Sequence, residues 1–279
     1  METDYYFRMG ATHSVCQDYA AAGHTEERAY AVLSDGCSGE AKSDPGSPHT
    51  DFGARFLVRS TLYHLPDLFD GDFPLQKVAV EADGMIRQTR LSRLAMDATL
   101  LAAVKSGRYT RTFQIGDGVI AGRTRSGGIR YFTLKFGGNM PYYLGYTLDE
   151  RREDDFLAKA KTVTRTTNLY TPGEGWGQAT EITEDIIDFK ICQQHLFNHE
   201  EYDVVLLMSD GVESFMRKGT TTSIPLETVL EQVCAIKNTQ GEFITRRCNA
   251  FLQRFCAENG WIHNDDFSCA GIYSGPLVP

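Results

Sequence analysis

Three aspartates stand where apolar strand-like runs begin or end. Asp35-Gly36 closes the run Ala29-Tyr30-Ala31-Val32-Leu33, Asp210-Gly211 closes 204–208, and Asp265 with Asp266 immediately precedes a final run at 267–273. If that last run is antiparallel to the other two, all three acids meet at one edge of the sheets. A fourth, Asp117, lies in the turn after Thr112-Phe113-Gln114-Ile115. Four carboxylates gathered at one end of a core repel one another, and cations relieve that repulsion. A ligand set made only of oxygen selects Mg2+ or Mn2+ over zinc. Asp-Gly is also a common turn dipeptide. It occurs five times, at Asp35, Asp70, Asp83, Asp117 and Asp210. Asp70 and Asp83 follow no apolar run and are assigned to turns.

The elements that must position these acids are legible in part. Short apolar or alternating runs predict strands at 5–11, 28–34, 98–104, 109–115, 119–123 and 129–136. Their connectors, Lys105-Ser106-Gly107, Gly116-Asp117-Gly118 and Ser126-Gly127-Gly128, are short enough to join antiparallel neighbours. Helical spacing relates Phe52, Phe56, Leu57, Thr61, Leu62 and Leu65, and again Leu75, Val78, Ala79, Ala82 and Ile86. Residues 38–48 read as a loop. The stretch 137–201 is the least legible: strands are expected at 162–167 and 186–191, a mobile Gly-rich surface loop at 172–177, and a solvated helix end in the charged run 149–155. Tyr142 and Tyr143 read as core. Further helices fit 226–236 and 242–258. Many antiparallel strands with paired helices inserted at two places indicate a layered α+β fold, not βαβ units. No composition break divides the chain, so residues 1–279 are expected to form a single domain.

The chain has 279 residues and a net charge of −9. Its acidity disfavours nucleic-acid partners and suits a site that gathers divalent cations. No run of about 18 apolar residues suggests a membrane span and no signal core precedes residue 10, which predicts a cytoplasmic protein. Seven cysteines, an odd number without a CxxC pair, point to free thiols, most of them buried.

The ordered series Gln17-Asp18, Asp35-Gly36-Cys37-Ser38-Gly39, Ala98-Thr99-Leu100, Gly116-Asp117, Ser209-Asp210-Gly211 and Asp265-Asp266-Phe267-Ser268 resembles the type 2C metal-dependent protein phosphatases. The resemblance spans nearly the whole chain. It implies a four-layer α-β-β-α sandwich of two antiparallel sheets flanked by helices. It also implies hydrolysis of phosphoserine and phosphothreonine by a water activated between two metals. Under it, Asp35 bridges two Mg2+ or Mn2+ ions, the Gly36 carbonyl binds one, and Asp210 and Asp265 bind the other. Asp18 holds metal-bound water without touching the metal itself, and Asp117 with Asp210 supports a third, weaker ion. Asp266 is not a primary ligand. The implied partners are a phosphoprotein substrate and an opposing Ser/Thr kinase system, with no nucleic acid and no membrane. Two positions depart from the pattern. His13 stands where many relatives carry a phosphate-gripping arginine, and Cys37 where many carry a histidine. His13 is therefore the candidate for substrate binding, with Arg55 and Lys42 as nearby cations, while Cys37 reads as packing. The rival reading is a degenerate phosphatase that binds phosphoproteins or regulates a kinase. A hydrolase of small phosphate esters is less favoured, because no Walker-type loop is present.

Overall fold

The computed structural model describes residues 1–37 and 49–276. The strands are β1 (Glu2–Arg8), β2 (Tyr19–His24), β3 (Ala29–Ser34), β4 (Leu100–Ser106), β5 (Tyr109–Ile115), β6 (Val119–Thr124), β7 (Ile129–Phe136), β8 (Thr162–Thr171), β9 (Gly175–Trp176), β10 (Thr180–Asp185), β11 (Gln193–Asn198), β12 (Tyr202–Met208), β13 (Phe215–Arg217), β14 (Trp261–His263) and β15 (Phe267–Tyr273). The helices are α1 (Thr50–Tyr63), α2 (Leu65–Phe69), α3 (Leu75–Gln88), α4 (Glu150–Lys159), α5 (Leu226–Val233), α6 (Phe243–Ala250) and α7 (Cys256–Asn259).

Two antiparallel sheets carry the fold. One is ordered β1-β15-β12-β6-β7-β8-β10, with β9 on β8; the other is β11-β5-β4-β3-β2. Side chains alternate between the two faces, and the central strands β3, β4, β12 and β15 are buried on both. Ala31 and Leu33 of β3, Leu101 and Ala103 of β4, Val205 and Leu207 of β12, and Ala270 and Ile272 of β15 fill one cluster between the sheets. The intervening residues point outward under helices. Val32, Leu100 and Ala102 pack with Leu57 and Val58 of α1 and Val78 and Ile86 of α3. Leu206, Met208 and Cys269 pack with Val229 and Leu230 of α5 and Ile244 of α6. The result is the expected four-layer α-β-β-α sandwich.

Several expectations are corrected. Gly116-Asp117-Gly118 is not a hairpin: β5 and β6 lie in different sheets, so this turn crosses between them. The crossover needs Gly116 at φ +83 and Gly118 at φ +108, where a β-carbon is strained. Residues 186–191 form no strand. The strand is β10, whose residues are mostly exposed and polar, while Ile186 and Phe189 enter the core from the turn after it. The helix expected at 242–258 is broken into α6 and α7 by a turn of π-helical spacing at Phe251–Phe255. Asp83 lies inside α3, not in a turn, and faces Arg87 and Arg93. The Trp176 loop is anchored: the indole N–H donates to Glu231 Oε1 at 2.7 Å and the ring packs edge-on to Tyr131. Tyr142 and Tyr143 are core, as expected. The charged run 149–155 belongs to α4, capped by Asp149, with Phe156 its buried residue. Strand β2 went unread, because its Ala21-Ala22-Gly23 centre carries no bulky apolar signal. The loop expected at 38–48, with Lys42, lies outside the described residues. Four of the free thiols are buried, those of Cys234, Cys248, Cys256 and Cys269.

Candidate active site

The motif segments distant in sequence are bonded to one another. The Gly36 N–H donates to the Gln17 carbonyl at 3.3 Å, and the Thr99 N–H donates to the Asp35 carbonyl at 2.8 Å. The Cys37 N–H reaches the Asp97 carbonyl at 2.8 Å, and Gln17 Nε2 donates to Thr50 Oγ1 at 2.6 Å. Asp97 is in turn held by Arg152, whose Nη2 lies 2.6 and 2.7 Å from its two oxygens. On the other sheet, the Ser268 N–H donates to Ser209 Oγ at 3.0 Å, which fixes the end of β12 beside the start of β15. Gly211 is required there, because a β-carbon on it would lie 1.8 Å from the Asp266 carbonyl oxygen. The backbone thus brings the loops after β3 and β12, the loop before β15, the segment before β2 and the β5–β6 crossover to one end of the sandwich.

All the acids singled out in the sequence arrive there. Burial pushes Asp35 well above the ordinary carboxylate range, and the charges of Asp18 and Asp210 push it further. Burial and then the charge of Asp210 raise Asp117 to about 8. The same two causes raise Asp265, with His13 acting in the opposite sense. Asp18 is 2% exposed. Burial lifts it to about 8, while the nearby hydroxyls of Ser268 and Ser209 work against the rise. Glu213, three residues past Asp210, joins the cluster and is also raised by burial. Sequence reasoning missed it; its spacing from Asp210 was the one available signal.

Asp266 has a different job. It is 1% exposed, and its oxygens accept the N–H groups of Gly10 at 2.7 Å and Gln17 at 2.5 Å. It pins the chain before β2. His13 lies against this loop, with Nε2 3.4 Å from Asp265 Oδ1 and Nδ1 3.1 Å from Asp266 Oδ1. Arg55 is exposed on α1, its guanidinium 5.7 Å from the Tyr19 ring centre and 5.8 Å from that of Phe52.

Among the described residues, no group of three or more His, Cys, Asp or Glu side chains is arranged to hold a metal ion. The donor chemistry nevertheless fits a cation. Both oxygens of Asp18 and Oδ1 of Asp210 are buried without a hydrogen-bond partner among the described residues. Such acceptors cost free energy unless something positive or protonated satisfies them. A cavity of about 270 Å3 opens at Asp210, lined also by Asp117, Glu213, Thr133, Lys135 and Asn139 among others.

A family model described as protein phosphatase 2C matches residues 10–253. The serine/threonine phosphatase of S. agalactiae is similar in structure, with a TM-score of 0.52, 13% identity, and coverage of 98% of this chain and 99% of that one. A bacterial serine phosphatase is similar with a TM-score of 0.51, 11% identity and full coverage of both chains. At these identities the likeness is one of fold. No curated protein matches the sequence. No helix among the described residues is long and apolar enough to cross a membrane.

Proposed function

The chain belongs to the protein phosphatase 2C family, and on that premise we propose that it hydrolyses phosphoserine and phosphothreonine in proteins with the help of two divalent cations. The observation that carries this reading is the convergence of Asp18, Asp35, Asp117, Asp210 and Asp265 on one end of the sandwich, several with their proton affinity raised by burial and by one another. Asp35, set between Asp18 and Asp210, would bridge the two ions, with the Gly36 carbonyl on one and Asp210 and Asp265 on the other. Asp117 with Asp210 would hold a third, weaker ion. Bound there, Mg2+ or Mn2+ would make a water nucleophilic near neutral pH and offset the charge of the phosphoryl oxygens. Asp18 would accept hydrogen bonds from water and orient it. Asp266, beside Asp265 in the loop before β15, holds the segment before β2 that carries His13. His13, when protonated, would lie on the substrate side.

The whole described chain would work as one phosphatase unit in the cytoplasm, acting on a phosphoprotein and opposing a Ser/Thr kinase. The alternative, a degenerate relative that binds phosphoproteins without turnover, is disfavoured because no acid of the set is missing. The assay that separates the two is hydrolysis of p-nitrophenyl phosphate and a phosphoserine peptide with Mn2+, with Mg2+ and with EDTA. The reading predicts turnover with either cation and none in EDTA. Binding of the phosphopeptide without turnover under all three conditions would favour the alternative.

A further inference from the structure

The cavity beside the acids contains a cation that no motif singled out. Residues two apart on a strand point to the same side, so Thr133 and Lys135 of β7 share a face, the first buried and the second, near the strand end, exposed. Thr133 pairs with Val119, the first residue of β6. Continuing that antiparallel register past the strand end sets Lys135 across from the crossover turn that carries Asp117. Lys135 and Asp117 accordingly line the same cavity, together with Asp210, Glu213 and Asn139. Lys135 is the cationic side chain of that lining among the described residues. Its Nζ stands 3.7 Å from Glu213 Oε1, and its side chain is 65% exposed. The contact is long and solvent-reached, so the ammonium group is held at the wall without being used up there.

We propose that Lys135 grips the phosphate of the substrate from this side of the acidic cluster. The inference rests on the phosphatase reading above. The need for such a group is electrostatic. A phosphate dianion approaching this end meets a row of carboxylates, and even with cations bound it gains from a mobile positive charge on the approach path. The imidazole of His13 faces Asp265 and Asp266, and the guanidinium of Arg55 lies toward the rings of Tyr19 on β2 and Phe52 on α1. Lys135 faces open space next to Asp117 and Asp210. A lysine serves here as a point charge on a flexible stem, so it can follow a phosphate without fork geometry.

The test is steady-state kinetics of the full chain with saturating Mn2+, comparing wild type, Lys135→Met and Lys135→Arg on p-nitrophenyl phosphate and on a phosphoserine peptide, with inorganic phosphate as inhibitor. Lys135→Met is expected to raise KM for both substrates, and Ki for phosphate, about tenfold, the size of one lost charge-assisted hydrogen bond. It should leave kcat within about twofold, the signature of uniform binding. Lys135→Arg should restore most of the loss, which a purely structural role would not require. Unchanged KM and Ki in Lys135→Met, or a KM rise for the peptide alone, would overturn the assignment. A wild type without turnover overturns the phosphatase reading and this inference with it. An active wild type beside an indifferent Lys135→Met overturns this inference alone.

Discussion

Two groups of shielded aspartates in this chain are held in opposite ways. Asp203, on β12, is clasped by Arg123 of β6, with Nε 2.9 Å from one oxygen and Nη2 2.7 Å from the other. Asp97 is clasped by Arg152, and Asp83 by Arg87 and Arg93. Each of these acids carries its counter-charge within the chain. At the end of the sandwich the neighbours of Asp35 are Asp18 and Asp210, and those of Asp117 are Asp210, Glu213 and Asp265. There the fold supplies more negative charge, with His13 beside Asp265 and Lys135 beside Glu213. An acid paired inside the chain stabilises the fold, whereas acids paired with acids must be satisfied by protons or by cations from outside. That contrast is the physical argument for a site.

The largest expected effect separates the two groups by function. Asp35→Asn and Asp210→Asn should each lower kcat by at least about 10³-fold, because several kcal/mol of transition-state charge stabilisation would be lost. Circular dichroism of both variants should show a folded chain. Near-normal turnover in either would dissolve the contrast. The next effect separates the groups by stability. Asp203→Asn removes the counter-charge of Arg123, whose side chain is 14% exposed. It should cost about 3 kcal/mol in urea unfolding, the usual order for breaking a buried pair. Asp35→Asn in EDTA should instead leave stability unchanged or raise it, since it removes a repelled charge.

A third and smaller effect concerns pH. Burial pushes Asp18 and Asp117 up to about 8, from an ordinary aspartate value of 3.8. Between those limits the folded chain keeps protons that the unfolded chain has released, so stability should fall as pH rises and be lowest above about 8. His195 and His199, both lowered to about 4 by burial, work in the opposite sense below the ordinary histidine range. The clean window therefore runs from about pH 6.5 to pH 8.5. In EDTA the melting temperature should drop across it, and Mn2+ should restore more of it at the upper end. A melting temperature that rises across the window in EDTA would count against the raised carboxylates.

What the sequence disclosed follows from where the acids sit. Asp35, Asp210 and Asp265 flank β3, β12 and β15, whose apolar runs mark them, and the antiparallel pairing of β12 with β15 brings two of them together. Asp18 had no such flag, since the strand after it is built around small residues; only the resemblance pointed to it. Asp117 was placed in a turn correctly, but the turn joins two sheets instead of two neighbours, and that crossover is what puts it among the other acids. The pairing of strands across the sandwich is not written in any local pattern, so Lys135 could not be linked to Asp117, Asp210 and Glu213 before the sheets were seen. Strand β10 was misplaced for a related reason: an exposed polar edge strand lacks the apolar run by which buried strands are recognised.

The central claim is that the acidic end of the sandwich is completed by divalent cations, and calorimetric titration of the full chain with Mn2+ at neutral pH tests it most directly. Wild type should bind about two ions with measurable affinity, as expected of a two-metal site, and Asp35→Asn, which removes the proposed bridge, should lose that binding while Asp203→Asn keeps it. Absence of binding to wild type, or undiminished binding to Asp35→Asn, would contradict the account.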